Sequence, residues 1–266
     1  MRLSTVFQRR CVFTTLIIIY GFFPSKGWSQ NRTSQREVSL YTFKYLGLPV
    51  AQGYINISDT LIEDGRWVKH IEACASSVSP TSFLFNIDNR YVTTIDAKTG
   101  YPLAYEKIIE QSNFSEKILI HFDQKQGYIH SGNDHLATLT HETHNFFSAL
   151  YFLLNHSFQP HEVLHLPVFA AGEIWEAEIQ ALRVEKVVTE VGAHPAVFIE
   201  IEFQRSSPTH NTIMNTDVLT HRLISEGKKT RVWISIGQER TMVKGIYSLF
   251  PAELQMILTE YHNRKY

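Results

Sequence analysis

Between residues 196 and 204 the chain alternates with a period of two: Val197, Ile199, Ile201 and Phe203 fall on one face and Glu200, Glu202 and Gln204 on the other. A strand points successive side chains to opposite faces, whereas a helix repeats its apolar positions every three to four residues, so the pattern predicts β-structure. It recurs along the chain. Tyr41, Phe43 and Tyr45 alternate with Thr42 and Lys44, and Ala51, Gly53, Ile55 and Ile57 alternate beyond Gly47-Leu48-Pro49, which predicts a hairpin with those three residues as its turn. Further strands are predicted over 67–75, 90–96, 103–109, 117–122, 127–131, 173–181, 183–191, 231–236, 241–247 and 254–261. Turn-rich stretches at 96–100, 124–127 and 226–229 punctuate them.

One segment breaks the pattern. Residues 144–155 hold no Gly or Pro and carry Phe146, Phe147, Leu150, Tyr151, Leu153 and Leu154. Only Asn145, Ser148 and Asn155 form a polar stripe, which predicts a helix from Asn145 to Asn155 buried on most of its circumference. Thr143 is placed to cap its start, and Glu142 to face the positive end of its dipole. Apolar strands and an almost wholly apolar helix need a concave surface to bury them. The predicted fold class is therefore mainly β, a strongly curved antiparallel sheet or incomplete barrel with one buried helix. The polar stretches 132–140 and 206–216 are predicted to be mobile loops.

The amino terminus speaks to destination. Arg2, Arg9 and Arg10 lead into an apolar run from Cys11 to Phe23, followed by Pro24 and the small residues Gly27 and Ser29. The run is shorter than the ~20 apolar residues of a spanning helix, and its order describes a secretory signal peptide rather than the competing reading, an uncleaved anchor. Residues 1–29 are expected to be removed ahead of Gln30, leaving 30–266 as a single β-rich domain with no stable membrane span. Cys11 falls inside the signal, so Cys74 is the one cysteine of the mature chain and no intramolecular disulfide is available. A net charge of −1 gives no electrostatic footprint for nucleic acid. Asn31, Asn56, Asn113 and Asn155 each begin an N-x-Ser/Thr sequon, a pattern short enough to arise by chance.

Few residues suggest chemistry. His161-Glu162-Val163-Leu164-His165 matches the zinc-protease pattern, in which two histidines one helical turn apart share a metal and the Glu acts as base. Pro160 and Pro167 leave little room for that helix, and Val163, Leu166, Val168 and Phe169 read as a strand, where the histidines would stand about 13 Å apart at ~3.3 Å per residue. The metalloprotease remains a remote alternative. His135, His141 and His144 form a second group that fits no ligand template and is expected to be solvated loop; His70 and His121 read as polar-face or core residues. Glu200 and Glu202, though spaced like a glycosidase pair, read as a solvated strand face, and Cys74 as a buried thiol. There is no G-x-S-x-G elbow, P-loop or G-x-G-x-x-G fingerprint. Tyr41, Phe43, Tyr45 and Trp67 fit either a ligand cavity or plain core packing. No catalytic residue, cofactor or metal site is predicted.

Several segments together resemble an exported bacterial family, the domain of unknown function numbered three-one-zero-eight. They are the hairpin over 40–53, the Asp88-Asn89-Arg90-Tyr91 stretch with Asp96, Thr99, Pro102 and Leu103 through Glu106 and Lys107, the 148–153 helix followed by Leu166-Pro167-Val168-Phe169, and Val232-Trp233-Ile234-Ser235. The chain departs from the family pattern at Pro160-His161, where a Pro-Gly turn is usual, and at 239–243, where a basic residue and proline are usual. The resemblance implies a β-rich periplasmic protein with no assigned catalytic residue. Two functions stay open: a binding module holding a lipid-like or other envelope amphiphile, the helix acting as a plug, or an envelope protein–protein scaffold using sheet edges or the 132–140 loop. Surplus apolar residues (Phe146, Phe147, Leu150) favour the first, and the lack of any recognisable head-group set favours the second.

Overall fold

The computed structural model describes residues 33–62, 65–80, 86–111, 114–139, 142–206, 223–249 and 251–265; the expected signal peptide lies outside them. The first strand lies in the middle of the sheet. β1 (Thr33–Tyr45) pairs on one side with β2 (Leu48–Leu61) and on the other with the last strand, β15 (Ala252–Lys265). From β1, successive hairpins build one wing: β3 (Trp67–Ser77), β4 (Ile87–Asp96), β5 (Pro102–Gln111), β6 (Phe114–Asp123), β7 (Tyr128–Ser131) and β8 (Asp134–Thr138). The second wing runs inward from the far edge to β15. It comprises β9 (His144–Asn145), β10 (Val163–Ala170), β11 (Glu173–Thr189), β12 (Gly192–Arg205), β13 (Lys229–Ser235) and β14 (Met242–Leu249). Neighbours are antiparallel except β9 and β10, which are parallel.

Between β9 and β10 lies the helix α1 (Phe146–Asn155), and it holds the wings together. Its Phe147 packs on Tyr91 and Tyr105 of the first wing, with ring centroids 5.3 and 6.0 Å away. Its Leu150, Leu153 and Leu154 join the core of the second wing. Nearby, Phe169 of β10 meets Phe122 of β6 edge-to-face at 5.8 Å. The sheet therefore curls on itself, and among the described residues β8 and β9 remain edges with no ladder joining them. The expected incomplete barrel with a buried helix is the fold.

Several details differ from expectation. The first hairpin turns at Leu46-Gly47, both at positive φ (52° and 79°), and Leu48 and Pro49 already belong to β2. The stretches 173–181 and 183–191 are not two strands but one, β11, whose register shifts between Ala181 and Arg183. A one-residue bulge flips the alternation as a strand end would. The polar stretch 132–140 is not a loop as far as it is described: Gly132-Asn133 is a tight turn, Gly132 takes φ 57°, and Leu136 of β8 is buried. The second predicted loop falls almost wholly on 207–222, outside the described residues.

The helix start is also corrected. Asn145, not Thr143, is the N-cap: its Oδ1 accepts from the Ser148 amide at 2.8 Å, and the Asn145 amide donates to Ser148 Oγ at 2.9 Å. Asn145 Nδ2 donates to Thr93 Oγ1 of β4 at 3.2 Å. Asn145 and Ser148 are fully buried, so their polarity serves the cap and the seam between wings rather than a solvent stripe. The first turn of the helix carries no acidic residue, and Glu142 sits in the preceding turn at φ 75°.

Candidate functional site

Small residues on the inner face of the sheet leave space beneath α1. Gly53 of β2 and Ala73 and Ala75 of β3 stand on one side, and Ala177 of β11 on the other. Gly53 has no alternative here: a Cβ would lie 2.3 Å from the Cys74 carbonyl oxygen and 3.0 Å from the Phe43 ring. Leu150 and Leu153 of the helix, Ile179 of β11 and Phe203 of β12 complete an almost wholly apolar cavity of about 120 Å³. Engineered apolar cavities of roughly 150 Å³ stay dry and take up benzene, so a space of this size and lining suits one ring or one alkyl chain.

The polar atoms in the wall are neutral. Burial pushes the Tyr247 phenol up, with the neighbouring Tyr41 adding to it. Burial also raises the Tyr41 pKa, although hydrogen bonds from Thr241 and Ser39 oppose it. Tyr41 Oη lies 3.4 Å from Thr241 Oγ1, which shares a 2.8 Å hydrogen bond with Ser39 Oγ.

At one end the lining changes character. Along β1 the inward residues run Phe43, Tyr41, Ser39, Glu37, from apolar to charged. Along β2 and β3 the same direction reaches the register pair Asp59 and Lys69, which are ion-paired below the Tyr151 ring of α1. Burial opposes the Lys69 charge, but Asp59 and Tyr151 outweigh it and raise the pKa. A small cleft of about 10 Å³ adjoins the cavity through Tyr41, Ile55, Leu150 and Met242, and presents Glu37, Ser39, Arg240, Thr241 and Tyr261. Burial, then Glu37 and Glu239, push the Tyr261 phenol up to about 12, so it stays a hydrogen-bond donor.

This polar set has no local signature in the sequence. Its members lie on β1, on β15 and just before β14, so no motif gathers them, and only the β1 run from Phe43 to Glu37 carries the change from apolar to charged. Of the aromatics singled out from the sequence, Tyr41 and Phe43 line the cavity; Trp67 is 44% exposed and Tyr45 lies outside the lining. Cys74 is buried, as expected, and lines the cavity.

The histidine motifs do not assemble. His161 occupies a turn at φ 62°, where its amide donates to the Ala181 carbonyl, and His165 stands exposed on β10, 3.6 Å from Glu176. Glu162 accepts from the Gln159 amide at 2.7 Å and meets His156 Nε2 at 2.9 Å, and these contacts hold its carboxyl below the usual range. Of the second group, His141 lies outside the described residues and His135 is exposed on β8, beside Tyr128. His144 is not solvated loop: it is 3% exposed, and burial pushes its pKa down to about 4. Among the described residues no trio of His, Cys, Asp or Glu is placed to hold a metal. Glu200 lies 3.1 Å from Lys229 on the outer face. No helix among the described residues is long and apolar enough to cross a membrane.

No functionally curated protein matches the sequence. In backbone the chain is similar to a crystal structure from Brucella abortus, a beta-barrel-like protein of domain of unknown function DUF1849. The TM-score is 0.52 at 8% identity, over 88% of this chain and 98% of that one, a likeness of fold alone. The profile of a family described as protein of unknown function (DUF3108) matches residues 40–257, from β1 to β15, and the chain belongs to that family.

Proposed function

We propose that the protein is exported to the periplasm and serves as a non-enzymatic binding module for an apolar or amphiphilic ligand. The observation that carries the binding is the cavity of about 120 Å³, walled by Gly53, Ala73, Ala177 and Leu150 where a close-packed core would have no space. Export rests on the order of basic, apolar and small residues ahead of Gln30. A two-part experiment tests the reading. N-terminal sequencing of protein from the periplasmic fraction should begin near Gln30, whereas a species retaining Met1 in the membrane fraction would refute export. Toluene, followed by its NMR line broadening, should bind the purified protein and fail to bind Ala177→Leu or Ala73→Leu, variants that fill the cavity and whose folding is checked by circular dichroism. Equal broadening by all three proteins, or none by the parent, would refute the cavity as the site.

A further inference from the structure

The cleft beside the cavity sets the kind of head a ligand can carry. It has room for about one water-sized group, at about 10 Å³, and the cavity is well below the roughly 300–1,000 Å³ of sites for drug-sized molecules. One chain with a small head fits; two chains do not. Charge of both signs borders the cleft, so a head of either charge meets a like one. Glu37 lines it, and so does Arg240, whose guanidinium keeps its positive charge while donating to the His156 carbonyl and to Ser157 Oγ at 3.2 Å. Tyr261 Oη and Asn263 Oδ1 are both buried and make no hydrogen bond of normal geometry among the described residues, although Asn263 stands close enough to pull the Tyr261 pKa down against the larger effect of burial. A buried donor and a buried acceptor left unpaired are costly, and a hydroxyl, which both accepts and donates, is the smallest group that serves both.

We propose that the ligand is a single-chain amphiphile with a small neutral hydroxyl head, its chain in the cavity beneath α1 and its hydroxyl at Tyr261. This rests on the cavity reading above and adds the ligand class. Calorimetric titration with 1-octanol, octanoate and octyltrimethylammonium, with toluene as a headless probe, tests it. Octanol should bind about tenfold or more tighter than either charged analogue. Tyr261→Phe should weaken octanol about five- to tenfold, the worth of one hydrogen bond, and leave toluene unchanged. Glu37→Gln should narrow the preference for octanol over octanoate. Octanoate binding as tightly as octanol, or Tyr261→Phe binding octanol at full strength, would overturn the head-group assignment while toluene binding left the cavity reading intact. Failure of toluene and octanol together would overturn both.

Discussion

A methyl group at position 53 would land 2.3 Å from the Cys74 carbonyl oxygen and against the Phe43 ring, so Gly53→Ala must move either the β2–β3 ladder or the ring that lines the cavity. Overpacking of this kind costs on the order of 1–3 kcal/mol, and the variant should show a lower urea midpoint with an unchanged slope. His144 makes a second prediction. Its ring is buried among Tyr101, Phe152 and the Ser148 hydroxyl, and it titrates near 4 when folded against 6.5 as its ordinary value. The folded pKa lies below the unfolded one, so between these values the unfolded chain holds more protons and folding stability falls as pH drops from about 6.5 toward 4. The full effect is about 3 kcal/mol at 1.36 kcal/mol per pH unit. Chemical denaturation at pH 7 and pH 4.5 should show a smaller loss for His144→Gln than for the parent, and equal losses would contradict a neutral buried imidazole.

At the scale of elements, α1 is fixed by its own cap and by the opposite wing at once. Asn145→Ala removes the acceptor for the Ser148 amide and leaves Thr93 without that donor, and caps of this kind are worth ~0.5–2 kcal/mol. A double-mutant cycle with Thr93→Ala should show coupling above about 0.5 kcal/mol, because the two residues touch across the seam. The elements were legible where a local period exists. The alternation in β12 and the Tyr41–Ile57 hairpin appear in the sequence because one face of each is buried. The β11 bulge at Leu182 was misread because a bulge and a strand end break period two alike. β9, two residues paired in parallel with Val168 and Phe169, leaves no period to detect. The cap was misplaced for a related reason: His144 and Asn145 are held extended by β10, which delays the helix past Thr143. The polar cleft required Glu37, Arg240 and Tyr261 to meet from distant parts of the chain, and nothing in their local sequence signals that meeting.

Across the whole molecule, a sheet that curls without closing buries a helix and keeps a space beneath it. The first and last strands pair at its centre, so the wings curl toward each other through side chains such as Phe169 and Phe122 rather than through a ladder. Beneath α1 the apolar interior is left unfilled by side chains over about 120 Å³. Native mass spectrometry of gently purified protein measures this directly. The protein should carry a mass excess of one single-chain amphiphile, absent from Ala177→Leu. Bare polypeptide mass for the parent, unchanged after incubation with 1-octanol, would contradict it.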